Sequence, residues 1–434
     1  MIGLVADESG ALAVSYPAAI VEGNSENLRQ VVLARRAAVP TDGAPTTAAW
    51  TRQSLQELNP AAQSAVLYFT AIDTRAGQLA VAFNQRRAAS DSPPLSLWLG
   101  PAGSGSSGTS TKLTDLTASW TGGPIFTGVA PAVALVQSSN SVLYALVAGQ
   151  ARPEATSFAL SSTLAVVEAA SGTRRALLQL PPPSLTASEN QVSPGGLAHR
   201  LLVNTATTPR QLLVAQLGEI VPRVMPLPGG TTLPPTLLFV SQVELDKALL
   251  GQTGINPAVA WSTETKLSVR AFGTLPLTLA PSGAALVFPQ RGAAAGLFGQ
   301  SIPPQATLQA IRPGDAAAAT AIRPAAASRE GFTGVAYLSY EGDLSRADEA
   351  AATSMFGQVC FTAATKQQEG QWTKALCLPG TAGNTGAYQV EVVASQVTAQ
   401  RAVFELVYWQ RQPLVGSLVR LRVSHSRVVC RSQL

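Results

Sequence analysis

The side chains able to do chemistry are few and scattered. His199 and His425 are the only imidazoles. A Ser-His-Asp arrangement needs one of them beside a nucleophile, yet the chain has no Gly-x-Ser-x-Gly elbow. Both histidines fall on expected strands and read as packing or surface residues. Acids that could act as a facing pair include Asp7, Asp73, Asp115, Asp246 and Glu264. Asp7 and Asp73 sit at expected hairpin bends, and the group reads as turn and solvent residues. No Asp-x-Asp calcium loop occurs, and no Cys or His pair has zinc-ligand spacing. No catalytic, cofactor-binding or metal-binding residue is therefore expected, and no cofactor.

Three further groups stand out. Cys360 and Cys377 flank the bend Lys366-Gln367-Gln368-Glu369-Gly370, so a hairpin would set them opposite each other on neighbouring strands. That spacing allows a disulfide and, with it, an extracellular or assembly-surface setting; two reduced thiols fit the same positions and a cytoplasmic one. Arg420, Arg422, Arg427 and Arg431 make the C-terminal strand the most basic segment, a candidate surface for an acidic partner, lipid or glycan. Gly103-Ser104-Gly105-Ser106-Ser107-Gly108 matches the glycine spacing of a dinucleotide loop. Such a loop must open a helix, and Thr109 to Asp115 has no helical apolar period, so it reads as a loop between strands.

The composition narrows the class. Of 434 residues 46% are hydrophobic and 13% charged, against about 25% charged in an average soluble domain. Recurring apolar runs argue against disorder. The longest, such as Gly128 to Val136, fall short of the roughly 20 residues of a membrane-spanning helix. Met1 to Val5 leads straight into Asp7 and Glu8, without the pattern of a signal peptide. A net charge of +5, thinly spread, does not make a nucleic-acid footprint.

The elements that must position these residues are repeated. Gly128-Val129-Ala130-Pro131-Ala132-Val133-Ala134 recurs as Gly254-Ile255-Asn256-Pro257-Ala258-Val259-Ala260. Pro194, in Val192-Ser193-Pro194-Gly195-Gly196, lies midway, 63 residues from each proline. Pro60 and Pro324 extend the series less regularly. Thr47-Ala48-Ala49-Trp50-Thr51 matches Thr117-Ala118-Ser119-Trp120-Thr121. Within one unit the spacing predicts strands at Val66–Ile72, Leu79–Phe83, Ser96–Leu99 and Thr117–Thr121, with turn chemistry at Asp73 to Gly77. Arg420 and Arg422 alternate with Val419, Leu421 and Val423, the period of a half-buried strand. One helix is expected, over Leu344 to Thr353.

Short four-stranded units of about 60 residues, repeated seven times, resemble the β-propeller superfamily. That resemblance implies an all-β fold with a single β-propeller of seven four-stranded blades. Tentative blades run 1–58, 59–130, 131–193, 194–256, 257–323, 324–390 and 391–434. One such sheet has two apolar faces and cannot bury them alone; packing sheets around an axis buries both. Asp42-Gly43 before Trp50, Asp115 before Trp120, and Glu369-Gly370 before Trp372 resemble the Asp box of sialidase-type propellers without its full pattern.

A complete scaffold without a recoverable catalytic group reads first as a non-catalytic structural or interaction module, docking with other proteins of a larger assembly. The alternative is a glycan-binding or glycoside-hydrolase propeller of sialidase-like kind. A central pocket lined by at least two acids favours that alternative, and a capsid or fibre component is a third reading.

Overall fold

In the computed structural model the described residues are 2–22, 25–39, 49–57, 66–86, 95–103, 111–116, 125–152, 161–180, 190–193, 199–205, 207–222, 236–252, 255–261, 277–280, 283–290, 296–302, 309–311, 315–340, 356–365, 371–413 and 419–431. The glycine-rich loop beyond Gly103, the expected helix at Leu344 to Thr353, the expected strand at Thr117 to Thr121, and Asp42, Trp120, Glu264 and Glu369 lie outside them.

Seven antiparallel sheets follow one another along the chain. The first holds Gly3–Ala6, Leu12–Glu22, Ser25–Arg36 and Thr51–Glu57, and the second holds Val66–Arg75, Gln78–Arg86, Leu95–Pro101 and Lys112–Asp115. The third runs from Ile125–Gln137 to Arg174–Gln179. In the fourth, Asn190–Ser193 and His199–Asn204 both pair with Gln211–Pro222, followed by Thr236–Glu244 and Ile255–Trp261. The fifth runs from Leu277–Ala280 to Gln309–Ile311, and the sixth from Ala321–Arg329 to Leu376–Cys377. The seventh has three strands among the described residues, Ala387–Thr398, Arg401–Pro413 and Val419–Arg431. Among the described residues, six sheets thus have four or five strands and the last has three.

The inner strand of each sheet packs on that of the next, and Ala387–Thr398 returns to Gly3–Ala6, so the ring closes. The core lies between sheets. In Leu143–Arg152, Ala145 and Val147 pack toward the second sheet, whereas Leu146 and Ala148 pack toward the fourth. Both faces of a middle strand are buried, so its sequence is continuously apolar rather than alternating.

The proline series has a different meaning from the one its spacing suggests. Pro131, Pro257 and Pro324 each lie beside a register shift in their ladder. Proline has no N–H to give a ladder, and a bulge tolerates that. The repeated motif therefore marks bulges and not equivalent blade positions: Pro131 and Pro324 lie in inner strands, Pro257 in an outer one. For the same reason the expected limits at 130, 256, 323 and 390 fall inside strands, and the one at 193 falls between two strands of the same sheet. The fourth strand of the second sheet is Lys112–Asp115, ahead of the expected position. Two short helices, Leu245–Leu249 and Ala316–Ala319, have no counterpart in the sequence reading.

Candidate active site

The inner strands of the first, second, third, fourth and seventh sheets line a cavity of about 490 Å³. Its ionisable walls include Asp73, Arg75, Arg200 and Glu391, with Glu8 near its edge.

Asp73 reaches the cavity because the hairpin after it is tight. Ala76 and Gly77 both have positive φ, 50° and 72°, as a two-residue turn of the primed type requires. Arg75 and Gln78 are therefore register partners, and Asp73 pairs with Ala80 inside the strand. This corrects the reading of Asp73 as a bend residue: turn chemistry starts three residues later than its composition suggests. Its Oδ2 accepts the Leu135 N–H at 2.6 Å. Burial pushes its pKa up to about 6, against the opposing pull of the Leu135 and Thr74 N–H groups and of Arg75 and Arg200.

Glu391 enters from the seventh sheet and is 4% exposed. Burial raises its pKa too; Arg200 and the Gln389 amide oppose that rise. Gln389 Nε2 donates to Glu391 Oε1 at 3.2 Å, and an Arg200 guanidinium nitrogen lies 3.6 Å from Oε2. Arg200, from the fourth sheet, thus bears on both carboxyls. Burial disfavours the charged form of both carboxyls and Arg200 favours it in both, so each holds its proton above the ordinary carboxylate range and can exchange it with a bound molecule. His199 also lines the cavity, with Nε2 at 3.3 Å from Ser162 Oγ. Ser162 is 1% exposed, so it is not a reachable nucleophile.

The other sequence candidates lie elsewhere. Asp7 is a turn residue, its Oδ1 accepting the N–H groups of Ser9 and Ala11 at 2.9 and 3.0 Å. Asp115 is exposed at a strand end, and Asp246 pairs with Arg210. His425 Nε2 lies 2.7 Å from Glu405 Oε2. Cys360 and Cys377 are register partners joined by a disulfide. Arg422 and Arg431 are exposed, whereas Arg427 pairs with Glu405 at 3.1 Å. Glu391, Arg200 and Glu405 were not singled out from sequence. The signal for Glu391 is a lone acid in the apolar run Val390 to Val393, with Gln389 two residues before it on the same face.

Among the described residues no group of three or more His, Cys, Asp or Glu is arranged to hold a metal, and no helix is long and apolar enough to cross a membrane. No family model and no curated protein matches the sequence. Solved structures do. The α-L-arabinanase of Penicillium chrysogenum complexed with arabinobiose is 13% identical, with 83% of this chain and 93% of that chain covered and a TM-score of 0.44. The polysaccharide lyase Uly1 is 9% identical, with 99% and 90% covered and a TM-score of 0.48. The β-propeller domain of the Trilobed protease from Pyrococcus furiosus, described as having an open velcro topology, is 8% identical, with 98% and 97% covered and a TM-score of 0.41.

The expectation of a non-catalytic scaffold without enzymatic activity is set aside: it rested on scattered acids, whereas Asp73 and Glu391 line one cavity with Arg200, and the propellers matched include an arabinanase, a family-43 glycoside hydrolase and a polysaccharide lyase, a likeness of fold alone. Docking with proteins of a larger assembly finds no support in them either. At such identities the likeness speaks for architecture and names no substrate. The chain is an all-β protein folded as a single β-propeller.

Proposed function

We propose that this propeller is a carbohydrate-active enzyme that hydrolyses glycosidic bonds in its axial cavity. The observation that supports the reading is that two carboxyls from different sheets, half-buried Asp73 and buried Glu391, line one cavity with Arg200. Asp73, with its pKa pushed up to about 6, is the proton donor to the leaving oxygen. Glu391, with Arg200 and the Gln389 amide on its oxygens, is the base. As the glycosidic C–O bond breaks, Asp73 protonates the departing oxygen. Water adds its oxygen to the anomeric carbon and gives its proton to Glu391, so one reducing end and one hydroxyl are formed. The cavity volume suits a few sugar rings and falls within the usual range for ligand sites. The Cys360–Cys377 disulfide supports an extracellular setting.

The test is release of reducing ends from a panel of neutral and uronate-containing polysaccharides. Wild-type protein should release them, and Asp73→Asn or Glu391→Gln should lower the rate by about a hundredfold or more, with glycan binding retained by calorimetry. Absence of hydrolysis across the panel, or undiminished hydrolysis by both variants, would overturn the reading.

A further inference from the structure

One cation of the axial cavity makes no ion pair among the described residues. Asp73 and Arg75 both lie in Val66–Arg75, two positions apart, so their side chains leave the same face of the strand, about 7 Å from each other along it. Both line the cavity. Arg75 is half-buried and is the last residue before the Ala76–Gly77 turn. Its charge pulls on Asp73, but among the described residues its guanidinium donates no hydrogen bond. Arg200, the other guanidinium of the cavity, is engaged with Glu391 at 3.6 Å.

Charge selects the occupant. Arg200 and Glu391 offset each other. Asp73 is uncharged in the protonated form in which it would give its proton to a leaving oxygen. Arg75 is then the surplus charge of the cavity. Glu8, in the turn after Gly3–Ala6, also borders the cavity, but it is exposed and its charge is screened by solvent. A half-buried guanidinium has given up hydration that an anion restores. Its planar fork matches the two oxygens of a carboxylate. The hydroxyls of a neutral sugar gain less from it, because a hydrogen bond with both partners charged is the stronger kind.

We propose that Arg75 is the specificity-determining residue of the axial cavity and takes the carboxylate of a uronate sugar, so that the substrate is an acidic polysaccharide. The word substrate rests on the hydrolase reading above; the preference for the carboxylate is a property of binding and is measured without turnover.

The test is calorimetry on the full chain carrying Asp73→Asn, which mimics the protonated acid and prevents turnover. The probes are galacturonate, mannuronate and glucuronate oligosaccharides, each beside its carboxyl-reduced neutral form, and a sulfated galactan oligosaccharide. At least one uronate should bind about tenfold or more tighter than its reduced form. Adding Arg75→Gln should abolish that preference, and Arg75→Lys should keep part of it. Arg422→Gln, which removes the same charge from an exposed position elsewhere, should keep it whole. Equal affinity for acid and reduced forms throughout, a preference that survives Arg75→Gln, a preference lost as fully with Arg422→Gln, or tighter binding of the sulfated galactan would overturn the proposal. Hydrolysis of neutral glycans alone by the wild-type protein would overturn it and leave the hydrolase reading standing. A uronate preference without hydrolysis of any glycan would overturn that reading instead.

Discussion

Gln389 holds Ile2 with both ends of its amide, 387 residues apart in sequence: Oε1 accepts the Ile2 N–H at 3.2 Å and Nε2 donates to the Ile2 carbonyl at 3.4 Å. The same Nε2 donates to Glu391. The first and seventh sheets exchange no strand among the described residues, so this amide joins the two ends of the ring and steadies one of its axial acids.

Removing that clamp should loosen both. Gln389→Ala deletes three buried hydrogen bonds, each with a net contribution of about 1 kcal/mol. A loss of about 2–3 kcal/mol in urea unfolding is expected, and a loss under about 0.5 kcal/mol would show that the seam closes without it.

A second set of contacts across the seam is ionic. Glu405, 1% exposed, lies 3.3 Å from Arg36 of the first sheet, 3.1 Å from Arg427 and 2.7 Å from His425. Burial pushes its pKa up, but His425, Arg36 and Arg427 outweigh burial and hold it below the ordinary value. Its folded value lies below its unfolded one, so its contribution is present above about pH 4.3 and is lost as pH falls through the folded value. Glu405→Gln leaves buried Arg36 and half-buried Arg427 without their carboxylate and should cost about 3 kcal/mol at neutral pH. It should also flatten the acid limb of a stability–pH series; an unchanged limb would remove Glu405 from that role.

Close packing between the sixth and seventh sheets rests on one absent side chain. A Cβ on Gly334 would stand 2.5 Å from Phe404 Cε1 and 2.9 Å from Phe361 Cε2. Those rings are 5.1 Å apart between centroids. Gly334→Ala should destabilise by about 1–3 kcal/mol, and adding Phe404→Leu should recover part of the loss in thermal unfolding. Additive losses in the double variant would contradict that geometry.

The disulfide closes a loop of 17 residues. Its reduction should lower stability by about 3 kcal/mol, read as a shift of the denaturation midpoint with reductant. Cys430 should contribute nothing to that shift: partial burial pushes its thiol up to about 11, so it stays protonated. A shift that survives in Cys360→Ala/Cys377→Ala would assign it elsewhere.

Much of the architecture was legible because strands buried on both faces leave apolar runs such as Leu143 to Ala148, and short turns leave Gly and Pro between them. The Cys360–Cys377 pair was legible because a hairpin bend centred between them fixes register. The axial pair was not. Asp73 reads locally as turn chemistry, and only the Ala76–Gly77 backbone shows that the strand runs on. Glu391 and Arg200 meet 191 positions apart through ring closure, a relation with no local trace in sequence. The seam at Glu405 is hidden likewise, since Arg36 comes from the opposite end of the chain.

The titration of the Asp73 carboxyl by carbon-13 NMR is the most direct test of the axial site. Burial holds its folded pKa above its unfolded one, so stability from this group should fall as pH rises from about 4 to about 6 and level off above. The expected midpoint is about 6 in the wild-type protein, moving higher in Arg200→Gln as the nearby cation is lost. An ordinary midpoint near about 4, unmoved by Arg200→Gln, would show that the two acids do not share one site.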